Sequence, residues 1–404
     1  MTEVKREVRK SRGSGLTIES MVSDQASELK SAGLSIDRLE ILRMRVRKDV
    51  EDELLPSVQF AVAKDGKVLW SETFGRATEQ TLYPIFSCTK AIMSVAAWTL
   101  IQEGKLDVNE RVGDIIREFD TNGKQDVRVI HLFLHTAGFP MAPFRPSDWD
   151  DRDLRVGRFA QWRLNWPTGE KFEYHPSSSM WVIAEIVERK SGQDFRSFIR
   201  ERVIEPLDVD DLYVGLPNAE NERISTLVHV GDAFTNEDFK RLGIPEPPVT
   251  EVTEDAILSM NRPEIRAVGI PGGGGMATAT ALALFYQDLL SGVKDDRSCI
   301  LNKQTLDYGL KVVSEDYRDP LSGVKVNRAL GLCIAGDSQR NFRGFGHTNS
   351  ETSFGHGGAG GQIAWADPET GLSFSYLTNG HDRNPIRVGR RTVSISTKAA
   401  SLCE

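Results

Sequence analysis

The chain has 404 residues, enough to bury a large core as one big domain or two interleaved ones. Its formal net charge is −8 and no basic block stands out, which argues against a nucleic-acid-binding protein. No apolar run is long enough to cross a membrane, and the first residues lack the apolar segment of a secretory signal.

The number and spacing of the cysteines bear on the cellular compartment. Cys88, Cys299, Cys333 and Cys403 are scattered without the spacing of a metal finger. A large chain with unpaired thiols and no expected signal is typical of a reducing environment, so we expect a cytoplasmic protein. Cys88 is either a reactive thiol or a small buried residue, and the apolar sequence around it favours the second.

The first part of the chain predicts an arm, a helix and a hairpin. Residues 1–34 are polar and weakly periodic, which is typical of an arm or short helix with little core of its own. From Ile36 to Leu54 the apolar residues recur at helical spacing. Two apolar runs, 58–63 and 67–70, then flank Asp65 and Gly66, a strong hairpin signal.

The most informative stretch begins at Tyr83-Pro84 and runs to Gly104. The proline blocks helix before it, and good helix formers follow up to the glycine, so Ser87 is expected in the first turn of a buried helix. Lys90 falls on the same face one turn later. A serine hydroxyl needs a base to become a nucleophile, and a lysine serves if burial or another cation lowers its pKa. Without partners elsewhere, an N-cap serine and a solvated lysine would explain the pattern equally well.

The middle of the chain is read as helices joined by loops. His131 and His135 lie at i and i+4, but no HExxH glutamate or third ligand accompanies them, so we expect hydrogen-bonding histidines and no metal. Helices are predicted at 180–190, 194–206 and 278–290. Tyr174 precedes the first of these, where it is either a packed ring or a phenol projecting from a loop. The glycines at 272–275 lack the lysine of a phosphate-binding loop and predict a flexible lead into the last of these helices.

Strand patterns return near the C-terminus. They cover residues 329–334, 362–368 and 372–379, and the turn 368–371 predicts a second hairpin. Because strands open and close the chain while helices fill its middle, we expect an α+β fold with one antiparallel sheet built from both ends.

Three ordered motifs resemble those of serine β-lactamases and penicillin-binding proteins. They are Ser-Cys-Thr-Lys at 87–90, Tyr-His-Pro at 174–176 and His-Gly-Gly at 356–358. Within that superfamily the chain resembles the class C β-lactamase-like hydrolases, which include the family VIII carboxylesterases. Further matching stretches extend the resemblance from about residue 40 to about residue 395; they lie at 104–107, 131–138, 365–368 and 377–379.

The resemblance implies a site between a sheet domain and a mostly helical domain. It implies Ser87 as the acylated nucleophile, with Lys90 and Tyr174 sharing its activation. A tyrosinate needs a nearby cation, and Lys90 is the available one. The resemblance also puts the oxyanion hole at the backbone N–H groups of Ser87 and Ala359. The third motif, His356, Gly357 and Gly358, is then an edge that substrate approaches closely.

Two departures from the family pattern bear on the substrate. Pro176 stands where class C lactamases carry an asparagine, and His356 stands where lactamases use lysine. An imidazole with an ordinary pKa of about 6.5 is mostly neutral at pH 7 and anchors a penicillin carboxylate poorly. We therefore expect neutral esters or lactones, with apolar walls from Trp149, Trp162 and Trp166.

The leading hypothesis is a serine hydrolase that cleaves a small-molecule carboxylic ester or lactone through an acyl-enzyme. An acyltransferase using the same acyl-enzyme, a hydrolase of D-amino-acid peptides and an inactive binding protein of the same fold remain alternatives. We expect no cofactor, no metal, no nucleic acid and no membrane partner; the oligomeric state stays open, a homo-oligomer included. The predicted organisation is an arm at 1–35, an α/β sheet domain at 36–80 and 325–404, and a mainly helical domain at 81–324.

Overall fold

The computed structural model describes residues 23–243, 245–246 and 252–403, so most of the predicted N-terminal arm lies outside the described residues. In the described ranges the α-helices are α1 Ser23–Ser31, α2 Ile36–Glu51, α3 Thr89–Gln102, α4 Val112–Ile115, α5 Val129–Phe133, α6 Arg152–Gln161, α7 Ser178–Ser191, α8 Phe195–Ile199, α9 Asn236–Leu242, α10 Glu254–Leu258, α11 Pro263–Val268, α12 Ala279–Asp295, α13 Lys303–Gly309 and α14 Pro385–Ala400. The strands are β1 Ser57–Lys64, β2 Lys67–Gly75, β3 Tyr83–Pro84, β4 Leu212–Val214, β5 Val228–Val230, β6 Gly275–Ala277, β7 Cys333–Ile334, β8 Phe354–Gly355, β9 Ile363–Asp367, β10 Leu372–Thr378 and β11 Gly380–Asp382.

The main sheet joins the two ends of the chain, as predicted. Its six strands run in the order β2-β1-β10-β9-β8-β7, and all neighbours are antiparallel. Both predicted hairpins are present, β1–β2 and β9–β10. At the first turn Asp65 and Gly66 have φ of 53° and 77°, the left-handed backbone that tight hairpin turns require. Pairing of β1 with β10 then closes a ladder between residues more than three hundred positions apart, from Val58 with Thr378 to Lys64 with Leu372.

Both faces of this sheet are covered. Phe60 and Val62 of β1 belong to an apolar cluster with α2 and α14, whereas Ala61 and Ala63 belong to the cluster on the other face. Successive strand residues point to opposite faces, so a strand covered on both sides is apolar throughout. On the second face α12 is tied to β10, because the Ser373 hydroxyl donates to the carbonyl of Ala283 at 2.8 Å.

Helix α3 forms the centre of the helical part. Its residues are buried from Thr89 to Leu100, and it contacts α7, α8 and α13. The predicted buried helix is therefore present, but it begins at Thr89, and Phe86–Cys88 form a 3₁₀ turn before it. A three-stranded sheet of order β3-β6-β4 lies beside that turn.

Other elements are shorter than their sequence patterns predicted. The strand expected at 329–334 is paired only at Cys333–Ile334. The helix expected at 194–206 is α8, which passes into a wider π-helical turn at Arg200–Ile204. Helix α12 lies in the predicted helical domain yet packs on the sheet, and the domain boundaries remain a prediction. In the described part of the chain, no helix combines the length and apolar character needed to span a bilayer.

Candidate active site

Ser87 is held in a strained turn between β3 and α3. Phe86, directly before it, has a φ of 45°, which is costly for a residue with a side chain and persists only where neighbours enforce it. The enforcing contacts come from Thr89 and Gly275. The Thr89 hydroxyl donates to the Phe86 carbonyl at 2.6 Å and accepts the Gly275 N–H at 2.9 Å. The nucleophile candidate is thus positioned by the backbone before any substrate is present.

Lys90 and Tyr174 both reach the Ser87 hydroxyl. Lys90 Nζ lies 3.2 Å from Ser87 Oγ, and the Tyr174 hydroxyl lies 3.1 Å from the same atom. Lys90 Nζ is also 5.1 Å from the centre of the Tyr174 ring. The three residues predicted to be catalytic therefore meet at one oxygen, although Lys90 and Tyr174 are 84 positions apart in the sequence.

The surroundings of Lys90 favour its neutral form. The side chain is fully buried, and burial lowers the pKa of its ammonium, with Tyr174 opposing the shift and Arg328 adding to it. Nζ donates to the carbonyls of Pro176 and Gly272, each at 2.7 Å. A neutral amine has two N–H groups, so these two acceptors leave its lone pair for the Ser87 proton. This arrangement suits a general base.

Tyr174 stands on a segment anchored by His135. The Glu173 N–H donates to the His135 carbonyl at 3.1 Å, and the His175 N–H donates to His135 Nδ1 at 3.2 Å. The imidazole of His135 also lies 4.6 Å from the Tyr174 ring. His131 Nδ1 accepts the Arg128 N–H, so the prediction of hydrogen-bonding histidines at the end of α5 is confirmed.

His175 is next to the tyrosine but is not placed to act as the base. Its Nε2 accepts the Phe139 N–H at 3.2 Å, and its Nδ1 donates to the Glu173 carbonyl at 2.6 Å. Burial lowers its pKa to about 3. Both nitrogens are therefore committed to the backbone, and the imidazole holds the loop that carries Tyr174.

The third motif runs alongside the serine turn. Gly358 donates its N–H to the Gln362 carbonyl at 2.9 Å, and a Cβ at this glycine would lie 2.4 Å from the Ile85 carbonyl oxygen. Only glycine therefore lets the motif approach the chain just before Ser87. Gly357 lies in the same edge, and Ala359 lines the same cavities as Ser87. The oxyanion hole at the Ser87 and Ala359 N–H groups remains a prediction.

His356, the first residue of the third motif, and Cys88, which contacts it, are both buried. His356 Nε2 accepts from Arg328 at 3.2 Å and Nδ1 donates to the Gly357 carbonyl at 2.7 Å, which describes a neutral imidazole. Burial, then Arg328 and Lys90, hold its pKa well below 6.5. Cys88 donates its thiol to the His356 carbonyl, and burial raises the pKa of that thiol, as expected of a structural cysteine.

Two cavities meet at Ser87, and they differ in chemistry. One, of about 480 Å³, is mostly apolar and has Arg262 as its one charged lining residue among the described residues; the other, of about 390 Å³, is lined by Asp319, Lys325, Arg328 and Arg343. The walls of the apolar cavity include Phe86, Phe144, Trp181, Ile257, Met260 and Ile265. The expectation that Trp149, Trp162 and Trp166 would provide them is wrong: these rings are at most 9% exposed and line neither cavity at Ser87. Large aromatic rings bury much apolar surface, and these three are packed in the protein core, away from these two cavities.

Sequence reasoning missed residues of this site. The glycine run at 272–275, predicted as a flexible lead, instead passes behind the serine turn, and a Cβ at Gly272 would lie 3.0 Å from the Pro176 carbonyl and 3.5 Å from Lys90 Nζ. Arg328 was not singled out, nor were α10 and α11, which supply Ile257 and Ile265. The four consecutive glycines were the one available signal, because such runs mark close backbone approach as well as flexibility.

Comparisons with known proteins agree on one family. The family model described as Beta-lactamase matches residues 42–397. Over 317 residues the chain is 26% identical to the Esterase/beta-lactamase LipL of Mycobacterium tuberculosis, covering 73% of this chain and 68% of that protein. A penicillin-binding-protein homologue from Caulobacter crescentus superposes with a TM-score of 0.72 and 26% identity, over 91% of this chain and 98% of that one. A family VIII carboxylesterase superposes with the same TM-score at 23% identity, over 90% and 97%, which shows the fold alone.

Proposed function

The chain belongs to the Beta-lactamase family, and on that premise we propose that it is a serine hydrolase that cleaves carboxylic esters or lactones through an acyl-enzyme on Ser87. The family membership and the predicted α+β fold are confirmed by the match and the superpositions. The observation that carries the proposal is the meeting of Lys90 Nζ and the Tyr174 hydroxyl at Ser87 Oγ, at 3.2 and 3.1 Å.

The acylation step follows from this geometry. The lone pair of neutral Lys90 takes the Ser87 proton while Oγ bonds to the substrate carbonyl carbon, forming a tetrahedral oxyanion. The N–H groups of Ser87 and Ala359 are the proposed donors to that oxyanion. The Tyr174 hydroxyl then gives its proton to the departing alkoxide as the C–O bond breaks, and the Lys90 ammonium returns a proton to the tyrosine. The products are the free alcohol and an ester of Ser87.

Deacylation repeats the sequence with water in place of serine. Water gives a proton to the Lys90–Tyr174 pair and attacks the acyl carbonyl, and the pair returns a proton to Ser87 Oγ as the acyl group leaves as a carboxylic acid. An alcohol in place of water would make the same site an acyltransferase. In a lactone the leaving alkoxide and the acyl group are one molecule, so a single hydroxy acid leaves.

Two features support an ester over a β-lactam. Pro176 offers Lys90 a carbonyl oxygen and has no side-chain amide for a lactam, and His356 is neutral with both nitrogens committed to the protein. The apolar cavity of about 480 Å³ beside Ser87 suits a hydrocarbon acyl or alcohol group. The relative LipL carries both activities in its name, so the two substrate classes need a direct comparison.

The test compares kcat/KM for an aryl ester and a chromogenic cephalosporin on one preparation, with Ser87→Ala as the control. We expect clear ester hydrolysis, little cephalosporin hydrolysis and loss of nearly all turnover in the variant. A fluorophosphonate should label the peptide that contains Ser87. Label on Cys88, a better cephalosporin rate, or the absence of both label and turnover would each overturn the proposal, the last in favour of a binding protein.

A further inference from the structure

Arg328 projects into the charged cavity beside Ser87. The residue is only 7% exposed, and the cavity it lines is shared with Ser87, Tyr174 and His356. Its backbone is fixed, because its N–H donates to the Ser314 hydroxyl at 2.8 Å and its carbonyl accepts the Val313 N–H at 2.9 Å. The guanidinium carbon lies 5.5 Å from the Tyr174 ring. A permanent cation is thus held within the candidate active site.

This cation has no carboxylate partner among the described residues. Its side chain contacts His356 Nε2 and the faces of the Phe172 and Tyr174 rings. A guanidinium carries five N–H donors, and one donation to an imidazole leaves most of them uncommitted. Buried charges are nearly always paired, because an unpaired one costs several kcal/mol in lost solvation. The missing anion is therefore the notable feature.

The other cations of the same cavity are satisfied. Lys325 forms an ion pair with Asp316 at 2.5 Å, and Arg343 forms one with Asp337 while also donating to the Ala335 carbonyl. Asp319, an acid that lines the cavity, accepts the N–H groups of residues 321 and 322 through one oxygen and caps its own turn. Among the cations that line this cavity, Arg328 alone lacks an ion pair in the described residues.

We propose that Arg328 binds a carboxylate carried by the substrate, so that the preferred esters are anionic at one end. This inference rests on the proposed function and names its substrate class. The guanidinium fork matches a carboxylate through two parallel hydrogen bonds. Phe342, 62% exposed on the wall of the same cavity, offers a ring to the carbon skeleton that carries the charge. The expectation of neutral substrates rested on His356 and Pro176 and did not consider Arg328, which supplies the cation that the imidazole lacks. The case against a β-lactam then rests on Pro176, which has no side-chain amide.

Arg328 also acts on Lys90 electrostatically, and this effect must be distinguished from the binding of a substrate carboxylate. Arg328 lies near the pair that activates Ser87, and its charge contributes to the lowered pKa of Lys90. A purely electrostatic effect on Lys90 would change turnover of anionic and neutral esters by the same factor. Anion binding changes only the ratio between them, so the ratio is the quantity to measure.

The experiment uses two pairs of nitrophenyl esters that differ only by carboxylate against carboxamide. In the first pair the group ends the acyl chain: mono(4-nitrophenyl) adipate and its terminal amide. In the second it is on the leaving group: 5-butyryloxy-2-nitrobenzoate and the matching benzamide. Kd is measured for each ester on Ser87→Ala, with and without Arg328→Gln, which gives binding whether or not the active enzyme turns the ester over. The kcat/KM ratio is measured in parallel on the chain with Ser87 intact.

We expect the carboxylate to be preferred by about 10- to 100-fold in one of the two pairs, the range that a charge-assisted hydrogen bond gives. Arg328→Gln should abolish the preference, Arg328→Lys should keep part of it, and the control Lys325→Gln should keep it whole. A preference below about threefold in both pairs, or one that survives Arg328→Gln, overturns the proposal for Arg328. If ester turnover is nevertheless present, the hydrolase proposal stands; if binding shows the preference without turnover, only the hydrolase proposal fails.

Discussion

Replacing Lys90 by methionine tests whether the amine is neutral in the folded protein. An amine that burial keeps neutral at pH 7 binds fewer protons in the fold than in the unfolded chain, where its pKa is the ordinary 10.5. Stability then rises with pH between the lowered folded pKa and 10.5, because the unfolded state binds the extra proton. Where the two states differ by a full proton, the slope is about 1.4 kcal/mol per pH unit. Lys90→Met removes this slope together with catalysis.

The assay is urea unfolding of both proteins at pH values between 7.5 and 9.5. The absolute stability of the variant also reflects the Pro176 and Gly272 carbonyls, which lose their donor at about 1–3 kcal/mol each, so the comparison is between slopes. Across two pH units the free energy of unfolding of the unmodified chain should rise by up to about 2.7 kcal/mol more than that of Lys90→Met. In the unmodified chain, kcat/KM should fall as pH drops through the lowered pKa of Lys90.

Lys124 provides a matched control. It is buried too, donates to the Trp162 and Thr121 carbonyls, and has a pKa lowered to about 8, first by burial and then by Arg163. Lys124→Met should remove a slope confined to pH values between about 8 and 10.5 and should leave ester turnover intact. Equal slopes for Lys90→Met and the unmodified chain would mean that Lys90 is protonated in the fold, and its lone pair could not then accept the Ser87 proton.

Tyr174→Phe keeps the ring and deletes the hydroxyl 3.1 Å from Ser87 Oγ. We expect kcat to fall by about 10²- to 10⁴-fold, and the double variant with Lys90→Met to be no worse than either single variant; a near-normal kcat would show that the tyrosine only packs. Gly358→Ala places a Cβ 2.4 Å from the Ile85 carbonyl. It should lower stability by about 1–3 kcal/mol and reduce kcat more than KM changes, since the shift reaches the serine turn; thermal unfolding and ester kinetics that match the unmodified chain would contradict this contact.

Several elements could be predicted because short-range patterns specify them. The apolar spacing from Ile36 gave α2, the Asp-Gly pair gave the first hairpin, and the apolar run after Pro84 gave a helix that must be buried. Ser87 and Lys90 are three positions apart, so one helical turn brings them together whatever surrounds it. Tyr174 and the third motif had no such local support, and they were found through the order of the motifs.

The errors share a physical cause. In the strand predicted at 329–334 only Cys333 and Ile334 pair with a neighbouring strand, and the tryptophans of the 149–166 segment are buried in the core. Composition reports that a segment is apolar or extended, but the neighbours in space decide whether it pairs with a strand, fills a core or lines a cavity. These neighbours are distant in the sequence.

The sequence by itself determined helix α2, both hairpins, the proximity of Ser87 and Lys90 and the family, because each depends on residues close along the chain or on a pattern of motifs. Only the tertiary structure decided the chemistry around Lys90 and Arg328. The carbonyls of Pro176 and Gly272 accept hydrogen bonds from Lys90, although they lie 86 and 182 positions away in the sequence. Arg328 contacts His356 across 28 positions. Whether an amine is neutral, or a cation unpaired, depends on burial and on the groups within a few ångströms. Those quantities exist only once the chain has folded.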